Sequence, residues 1–146
     1  MKLIKNFFGI INFYLPPPLN KYLLFFRGVN FDHISTSWIG AFCFFDTLYP
    51  EKIKIGKNVV ISFGVKIICH FEPSLAQKNL GIKNHEKMVI ISDGVFVGAG
   101  VIIYPGVIIG KNSIISAGVV LNKSIPAYSV VKPSSQNLVI EKIKRS

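Results

Sequence analysis

The sequence predicts an all-β chain wound into a three-sided parallel β-helix, and three observations support this. Aliphatic residues recur every six positions between residues 53 and 126, with one interruption. Gly, Asn, Ser and Pro fill the positions between them, and these residue types favour bends. Each six-residue unit therefore forms a short strand and a corner. Three such units, eighteen residues, complete one coil of a single domain.

The aliphatic positions of the repeat predict the core. The fifth position of one unit and the first of the next, such as Val59 and Ile61, lie two residues apart and share a strand face. Both therefore point inward. Stacked coils then form three columns, Ile55/Ile91/Ile109, Ile61/Val97/Ile115 and Ile67/Ile103/Leu121. Each coil covers the apolar residues of the next one. An ordinary sheet would not explain the fixed period of six residues.

The residues that point outward from the strands are also unusual, because all but Lys66 are apolar. They are Val60, Lys66, Phe96, Ile102, Ile108, Ile114 and Val120. In the stacking above, Val60, Phe96 and Ile114 form one outer stripe. An exposed apolar stripe usually marks a partner surface, so the pattern predicts a closed homo-oligomer of identical copies.

The repeat is interrupted between Ile67 and Ile91, which leaves eighteen extra residues. If these formed a further coil, Pro73, Asn79 and His85 would take inward positions, and none of them is aliphatic. We therefore expect an extruded loop over about 71–87. Long loops on a rigid framework often carry function.

The segments that flank the repeat are predicted to be less regular. Residues 29–131 form the β-helix, and its first one or two coils, from about Val29, are irregular. Residues 1–28 form an N-terminal helical segment that includes a short helix over Leu19–Arg27. Within it, residues 1–15 are basic and aromatic, and either lie on a membrane surface or cap the core. Residues 132–146 form a C-terminal tail with a short helix over Leu138–Lys144.

Composition narrows the possible partners and the compartment. The net charge of +10 favours an anionic partner: nucleic acid, anionic lipid or a phosphorylated ligand. The lysines are scattered and no recognition motif occurs, so we predict no nucleic acid. Cys43 and Cys69 match neither a disulfide framework nor zinc-ligand spacing, which favours a reduced, cytoplasmic compartment. The apolar run Phe7–Leu15 is too short to span a bilayer, and no signal-peptide cleavage site follows it.

Two stretches of the chain resemble the hexapeptide-repeat acyltransferases. They are IKIGKNVVISFGVKIICH (53–70) and VFVGAGVIIYPGVIIGKNSIISAGVVLNKSIP (95–126). The similarity is greatest to the branch of galactoside, maltose and surface-polysaccharide O-acetyltransferases. It implies a left-handed parallel β-helix, a homotrimer, acetyl-CoA as co-substrate and an active site in a groove between subunits. It also implies a sugar acceptor, such as a bacterial surface polysaccharide or its precursor.

The resemblance makes His70 the candidate catalytic base, because the family's histidine lies at this corner beside the loop. Histidine can remove a hydroxyl proton near neutral pH. Glu72 is a candidate to orient the ring, and is equally well read as a solvated loop charge. His85 and Asp46 are candidates to contact the acceptor. For His85 the alternative is a surface histidine, and for Asp46 a residue that caps a turn.

The resemblance also indicates where CoA would bind. Ala99 and Ala117 are small residues that would let the backbone approach the pantetheine arm, while Asn122 and Lys123 lie where the family contacts CoA. The glycines around the two alanines are equally explained by corner geometry. The family's Gly-x-Pro-Ala segment is replaced here by VVKPSSQNLVI, so Lys132 becomes the candidate partner for a nucleotide phosphate.

Four other functions are less well supported by the sequence. A Cys69–His70 nucleophile is disfavoured because adjacent strand residues point to opposite faces. A zinc enzyme resembling the gamma carbonic anhydrases would need three histidines, but His33, His70 and His85 do not have that spacing, so no metal is predicted. N-acetylation of a nucleotide-linked amino sugar would favour a separate N-terminal domain. A non-catalytic trimeric scaffold is favoured only by the missing glycine segment.

Overall fold

The computed structural model describes residues 14–17, 19–133 and 139–142, with the side chain of Val139 excepted. Its helices are α1 (Leu19–Arg27) and α2 (Leu75–Asn79), with 3-10 turns at Ile34–Thr36 and Pro50–Lys52. Its strands are β1 (Asn30–Phe31), β2 (Trp38–Ile39), β3 (Phe44–Phe45), β4 (Ile53–Ile55), β5 (Val60–Ile61), β6 (Lys66–Ile67), β7 (His70–Phe71), β8 (His85–Glu86), β9 (Val89–Ile91), β10 (Phe96–Val97), β11 (Ile102–Ile103), β12 (Ile108–Ile109), β13 (Ile114–Ile115), β14 (Val120–Leu121), β15 (Ser129–Lys132) and β16 (Val139–Lys142).

Three parallel sheets form the sides of a prism. Face 1 contains β1, β4, β9 and β12; face 2 contains β2, β5, β10, β13 and β15; face 3 contains β3, β6, β11 and β14. The chain visits faces 1, 2 and 3 in turn. Coil 1 therefore runs from β1 to β3, coil 2 from β4 to β6, coil 3 from β9 to β11 and coil 4 from β12 to β14. Ile125 bridges to Ile109 and begins a partial fifth coil that ends in β15.

The register of the strands confirms all three predicted columns. Ile91 pairs with Ile55 and Ile109, Val97 with Ile61 and Ile115, and Ile103 with Ile67 and Leu121. These nine side chains are fully buried. The first coil continues the same columns with Phe31, Ile39 and Phe45. The inward pairs of the hexapeptide thus form one continuous core along the prism.

Glycines allow the corners to stack closely. Gly100 has a φ of +68°, a backbone conformation that side chains with a Cβ rarely adopt. At Gly98 a side chain is excluded by close packing, because a Cβ there would lie 2.5 Å from the Ala117 nitrogen in the next coil. One glycine therefore supplies the turn and the other permits the close approach of successive coils.

The predicted loop leaves the prism without adding a coil. β4 pairs with β9 and β6 pairs with β11, so coil 3 stacks directly on coil 2 and the predicted loop, about 71–87, lies outside the stacked coils. The loop begins and ends in a two-stranded antiparallel ribbon, in which β7 pairs with β8. Between these strands, Ser74 and Gln77 form a capping box at the start of α2.

Helix α1 covers the open end of coil 1. It ends at Gly28, whose φ is +109°, and the amides of Gly28 and Val29 donate to the carbonyls of Phe25 and Leu24. Three polar side chains of α1 are buried and donate to carbonyls of coil 1 at Ser37, Ile39, Gly40, Phe45 and Asp46. They are Asn20, Lys21 and Arg27. They satisfy groups that an uncovered sheet edge would leave unpaired.

The C-terminal helix predicted over Leu138–Lys144 is wrong. Val139–Lys142 forms β16, which pairs antiparallel with β15. The last parallel strand leaves an open edge on face 2, and the returning tail hydrogen-bonds to it. Tertiary pairing therefore overrides the helical pattern of the local sequence.

The predicted membrane contact concerns residues 1–15, which lie outside the described residues except for Tyr14 and Leu15. None of the described helices is long and apolar enough to cross a membrane.

Candidate active site

His70, partly exposed, pairs with the buried Asp46 at the corner where face 3 turns to face 1. The Nδ1 atom of His70 lies 2.6 Å from the Oδ2 atom of Asp46. The register of Phe45 against Ile67 explains the contact, because it places the corner after β3 directly below the corner after β6. The His70 ring also packs against Tyr49, with ring centroids 5.5 Å apart. The imidazole is thus held on two sides.

Asp46 is fully buried, and four donors converge on its carboxylate. Oδ2 accepts from the Cys69 amide at 2.8 Å as well as from His70. Oδ1 accepts from the amides of Leu48 and Tyr49 at 3.0 and 3.1 Å. Burial alone would raise the pKa of Asp46, but the hydrogen bonds from Cys69, His70 and the turn together lower it below its ordinary value. Asp46 is therefore an anion built into the corner.

This pair fixes the chemistry of the imidazole. An ionised carboxylate can only accept hydrogen bonds, so the Nδ1 atom of His70 carries its proton toward Asp46. The Nε2 atom is then left with a lone pair. The side chain of His70 is 27% exposed and lines an open cleft. The arrangement is that of a general base oriented by a carboxylate.

The position of Asp46 corrects two expectations from the sequence. Asp46 has no exposed surface and both of its oxygens are occupied, so it cannot hydrogen-bond an acceptor. Glu72 does not orient the ring: it is exposed, and it pairs with Lys78 at 3.4 Å. The role expected of Glu72 belongs to Asp46.

An open cleft of about 450 Å³ lies beside His70. It is lined by Ile68, His70, Phe71, His85, Tyr104 and Pro105. The loop forms one wall, where the rings of Phe71 and His85 are 5.5 Å apart. The corner of coil 3 forms the other wall. His85 therefore faces the same cleft as His70, as expected of a residue that could meet an acceptor.

Cys69 points away from this cleft. It is buried in the core, and its Sγ atom lies 3.8 Å from the carbonyl oxygen of Lys52. Burial, together with the charge of Asp46, raises the pKa of the Cys69 thiol to about 12. A thiol with such a pKa supplies almost no thiolate near neutral pH. The Cys–His nucleophile is therefore excluded on geometry and on chemistry.

The candidate CoA residues fall on two different corners. Asn122 and Lys123 follow β14, on the same corner as His70 and two coils above it. Ala99 and Ala117 lie on the corner between faces 2 and 3, where the Gly118 amide donates to the Ala99 carbonyl. One copy of the chain does not bring the two groups together. Lys132, at the end of β15, pairs with Glu141 at 2.8 Å.

In the described part of the chain, no three His, Cys, Asp or Glu side chains are grouped so that they could hold a metal ion.

Residues 88–123 match the family described as bacterial transferase hexapeptide, six repeats. Residues 88–123 therefore carry the hexapeptide repeat of that family. The match begins just after the loop and covers coils 3 and 4, where the six-residue period is most regular. No curated protein sequence matches this chain significantly.

Several solved structures share the fold of this chain. A maltose O-acetyltransferase from Clostridium difficile is 24% identical, with 99% of this chain and 87% of that chain aligned at a TM-score of 0.69. A galactoside acetyltransferase in complex with coenzyme A is 19% identical, with 97% and 80% aligned at a TM-score of 0.66. The predicted left-handed parallel β-helix is confirmed by these similarities.

A third structure has a bound co-substrate. It is a hexapeptide-repeat acetyltransferase from Vibrio cholerae in complex with acetyl coenzyme A, 24% identical at a TM-score of 0.65. The alignment covers 79% of this chain but only 60% of the Vibrio chain. These likenesses establish the architecture, and the chemistry of this chain rests on its own residues.

Proposed function

We propose that this protein is an acetyl-CoA-dependent O-acetyltransferase that acts on a sugar hydroxyl. The observation that carries the proposal is the Asp46–His70 pair beside an open cleft. Solved structures with the same fold are named as acetyltransferases, and two of them hold CoA or acetyl-CoA. The family resemblance of the repeats supports the same chemistry.

In the proposed reaction, His70 activates the acceptor hydroxyl. Its Nε2 atom takes the hydroxyl proton while the oxygen attacks the thioester carbonyl carbon of acetyl-CoA. A C–O bond forms, the C–S bond then breaks, and the imidazolium returns the proton to the departing CoA sulfur. Asp46 holds the ring in the required tautomer and stabilises the imidazolium between the two transfers. Backbone amides at the groove would stabilise the oxyanion of the tetrahedral intermediate.

The cleft suits a sugar acceptor. Phe71 on the loop wall and Tyr104 on the opposite wall are partly exposed and offer apolar ring surfaces, while His85 adds a polar group beside Phe71 on the loop wall. Binding sites for small molecules commonly combine apolar walls with a few polar groups that set orientation. We propose a unit of a bacterial surface polysaccharide, or its precursor, as the acceptor. The net charge of +10 also suits the phosphates of CoA.

A homotrimer would assemble the complete CoA site. Asn122 and Lys123 share a corner with His70, whereas Ala99 and Ala117 lie on another corner of the same chain. A neighbouring copy would bring its own alanine corner to the histidine corner of the first. An apolar outer stripe on face 2 supplies a surface for this contact. The stripe consists of Trp38, Val60, Phe96, Ile114 and Val130, paired in register along the prism.

Phe96→Glu is expected to dissociate the oligomer. Phe96 is 41% exposed in the single chain and lies in the middle of the stripe. Burial of an unpaired carboxylate in the subunit contact would cost several kcal/mol of the free energy of association. Sedimentation velocity at micromolar concentration measures the change. Phe26→Glu, on the outer side of α1, is the control and should leave the oligomer intact. A wild-type protein that sediments as a monomer would contradict the proposal.

Lys123→Ala is expected to raise the KM for acetyl-CoA roughly tenfold, because a charge-assisted hydrogen bond to phosphate is lost. The value of kcat should change little, since the phosphates do not take part in the reaction. Steady-state kinetics against acetyl-CoA measure both constants. Lys57→Ala, on the corner between faces 1 and 2, is the matched control. An unchanged KM in Lys123→Ala would remove this lysine from the CoA site.

The function itself is tested by binding and transfer together. Calorimetry with CoA and acetyl-CoA measures whether the co-substrate binds. Release of the CoA thiol in the presence of a panel of sugars and nucleotide-linked sugars measures transfer. Transfer to hydroxyls supports the proposal, and transfer to amines alone would assign the N-acetyltransferase alternative. If neither CoA nor acetyl-CoA binds, the scaffold alternative takes its place.

A further inference from the structure

On the corner between faces 2 and 3, the stacked residues of successive coils change from small to aromatic along the prism. Successive backbone hydrogen bonds define the column: Gly118 to Ala99 at 2.8 Å, Gly100 to Phe63 at 2.9 Å, and Gly64 to Ala41 at 3.0 Å. Ala117 and Ala99 therefore occupy coils 4 and 3, and Phe63 stands directly below them in coil 2. The two upper coils leave an open track of small residues, which ends at an aromatic ring.

Phe63 is supported from below. Its ring is 57% exposed and meets the ring of Phe42 edge to face, with centroids 5.3 Å apart. Phe42 in turn contacts Tyr14, with centroids 6.3 Å apart. Edge-to-face pairs of this kind hold aromatic rings in place. Phe63 therefore forms the top of an aromatic wall across the foot of the track.

The wall lies at the height of the catalytic histidine. Phe63 and His70 belong to the same coil, which runs from β4 to the corner after β6. A rotation about an axis parallel to the prism leaves every height unchanged, so in a cyclic oligomer His70 of one copy faces the level of Phe63 in its neighbour. Pantetheine that descends past Ala117 and Ala99 would thus bring its thioester to His70 just above the ring.

We propose that Phe63 sets the length of the acyl group by blocking the space beyond the thioester, so that the protein takes acetyl and rejects longer acyl chains. The inference rests on the proposed function, since it requires CoA to follow the alanine track. A hexanoyl chain exceeds acetyl by about the rise of one coil, ~4.8 Å. It would have to displace Phe63 and break its contact with Phe42, whereas an acetyl group ends before the ring.

The test is the affinity of the protein for CoA, acetyl-CoA, butyryl-CoA and hexanoyl-CoA by calorimetry. The wild-type protein should bind acetyl-CoA about tenfold more tightly than hexanoyl-CoA, since a few misplaced methylenes give discrimination of at least this size. Phe63→Ala should bring the two affinities within about threefold, because hexanoyl-CoA binds more tightly. The affinities for CoA and acetyl-CoA should not change. Phe63→Leu, which keeps an apolar contact to Phe42, should give an intermediate ratio.

Phe25→Ala is the matched control, because Phe25 is 55% exposed and lies on α1 away from the column. It should keep the wild-type ratio. Circular dichroism and melting curves check that the variants fold. If Phe63→Ala does not fold, the ratio of affinities in Phe63→Leu decides the test. Equal wild-type affinities, or full discrimination in a folded Phe63 variant, would overturn the inference alone. No binding of CoA or acetyl-CoA by the wild type would overturn it together with the proposed function.

Discussion

His70→Ala is expected to lower the rate of acetyl transfer by about 10²–10⁴-fold, the usual cost of losing a general base. The fold and the affinity for acetyl-CoA should persist, because His70 is partly exposed and Asp46 keeps its three backbone donors. His70→Gln should not restore the rate, since an amide forms hydrogen bonds but is not a useful base. Steady-state kinetics with the identified acceptor, together with calorimetry for acetyl-CoA, measure both effects.

The control for this substitution is another histidine of the chain. His33 lies at a corner of coil 1, where its Nδ1 atom is 2.9 Å from the Ser35 hydroxyl. His33→Ala should leave transfer unchanged. Turnover near the wild-type value in His70→Ala would refute the mechanism and make His85 the next candidate.

The periodic part of the chain could be predicted well, and the reason is local. A hexapeptide unit encodes its own strand and corner, so the columns around Ile91, Val97 and Ile103 follow from counting. The extruded loop follows from the same count, because the extra residues lack aliphatic residues at the inward positions. The place of His70 at the mouth of this loop is a consequence of both.

The partner of His70 was missed because it is distant in the chain but close in the stack. Glu72 is a candidate on the sequence because it lies two residues away, whereas Asp46 precedes His70 by 24 residues. Extending the column one coil downward, so that Phe45 lies below Ile67, would have placed Asp46 beneath the histidine corner. The irregular spacing of coil 1, with its 3-10 turns, hid that register.

The C-terminal strand was missed for a different reason. The segment after Pro133 has the spacing of apolar and charged residues that suits a helix, and local sequence is the only guide to an isolated tail. What decides the outcome is the open edge of β15, a feature of the finished prism. Pairing with that edge satisfies backbone groups that a separate helix would leave exposed there.

Asp46→Asn should lower the rate of acetyl transfer by about 10²–10⁴-fold, comparable to the loss of the base itself, because it selects the wrong tautomer of His70. The carboxylate accepts from four N–H groups through its two oxygens. An amide has one oxygen, so if that oxygen serves Leu48 and Tyr49, the NH₂ group faces His70 and donates to its Nδ1 atom. The proton of the ring then moves to Nε2, which can no longer accept one from the acceptor.

The same substitution is expected to destabilise the fold, and the size of the effect should depend on pH. The NH₂ group would oppose the Cys69 amide, which leaves a buried donor unsatisfied at about 1–3 kcal/mol. Since the pKa of Asp46 is lowered on folding, its carboxylate stabilises the native state above its ordinary pKa, and this contribution is lost as the pH falls toward the lower folded value. Urea unfolding should therefore separate wild type and variant widely at pH 7, and less at about pH 3.

Asp93→Asn distinguishes this role from ordinary capping of a corner. Asp93 accepts from the Lys57 amide at 2.7 Å through Oδ1, which an asparagine oxygen can replace. It should keep both activity and stability. Because the tautomer is the proposed cause, nitrogen NMR of the His70 ring should report the proton on Nδ1 in the wild type and on Nε2 in Asp46→Asn. An unchanged tautomer with a lowered rate would mean that Asp46 acts through the shape of the corner and not through the imidazole.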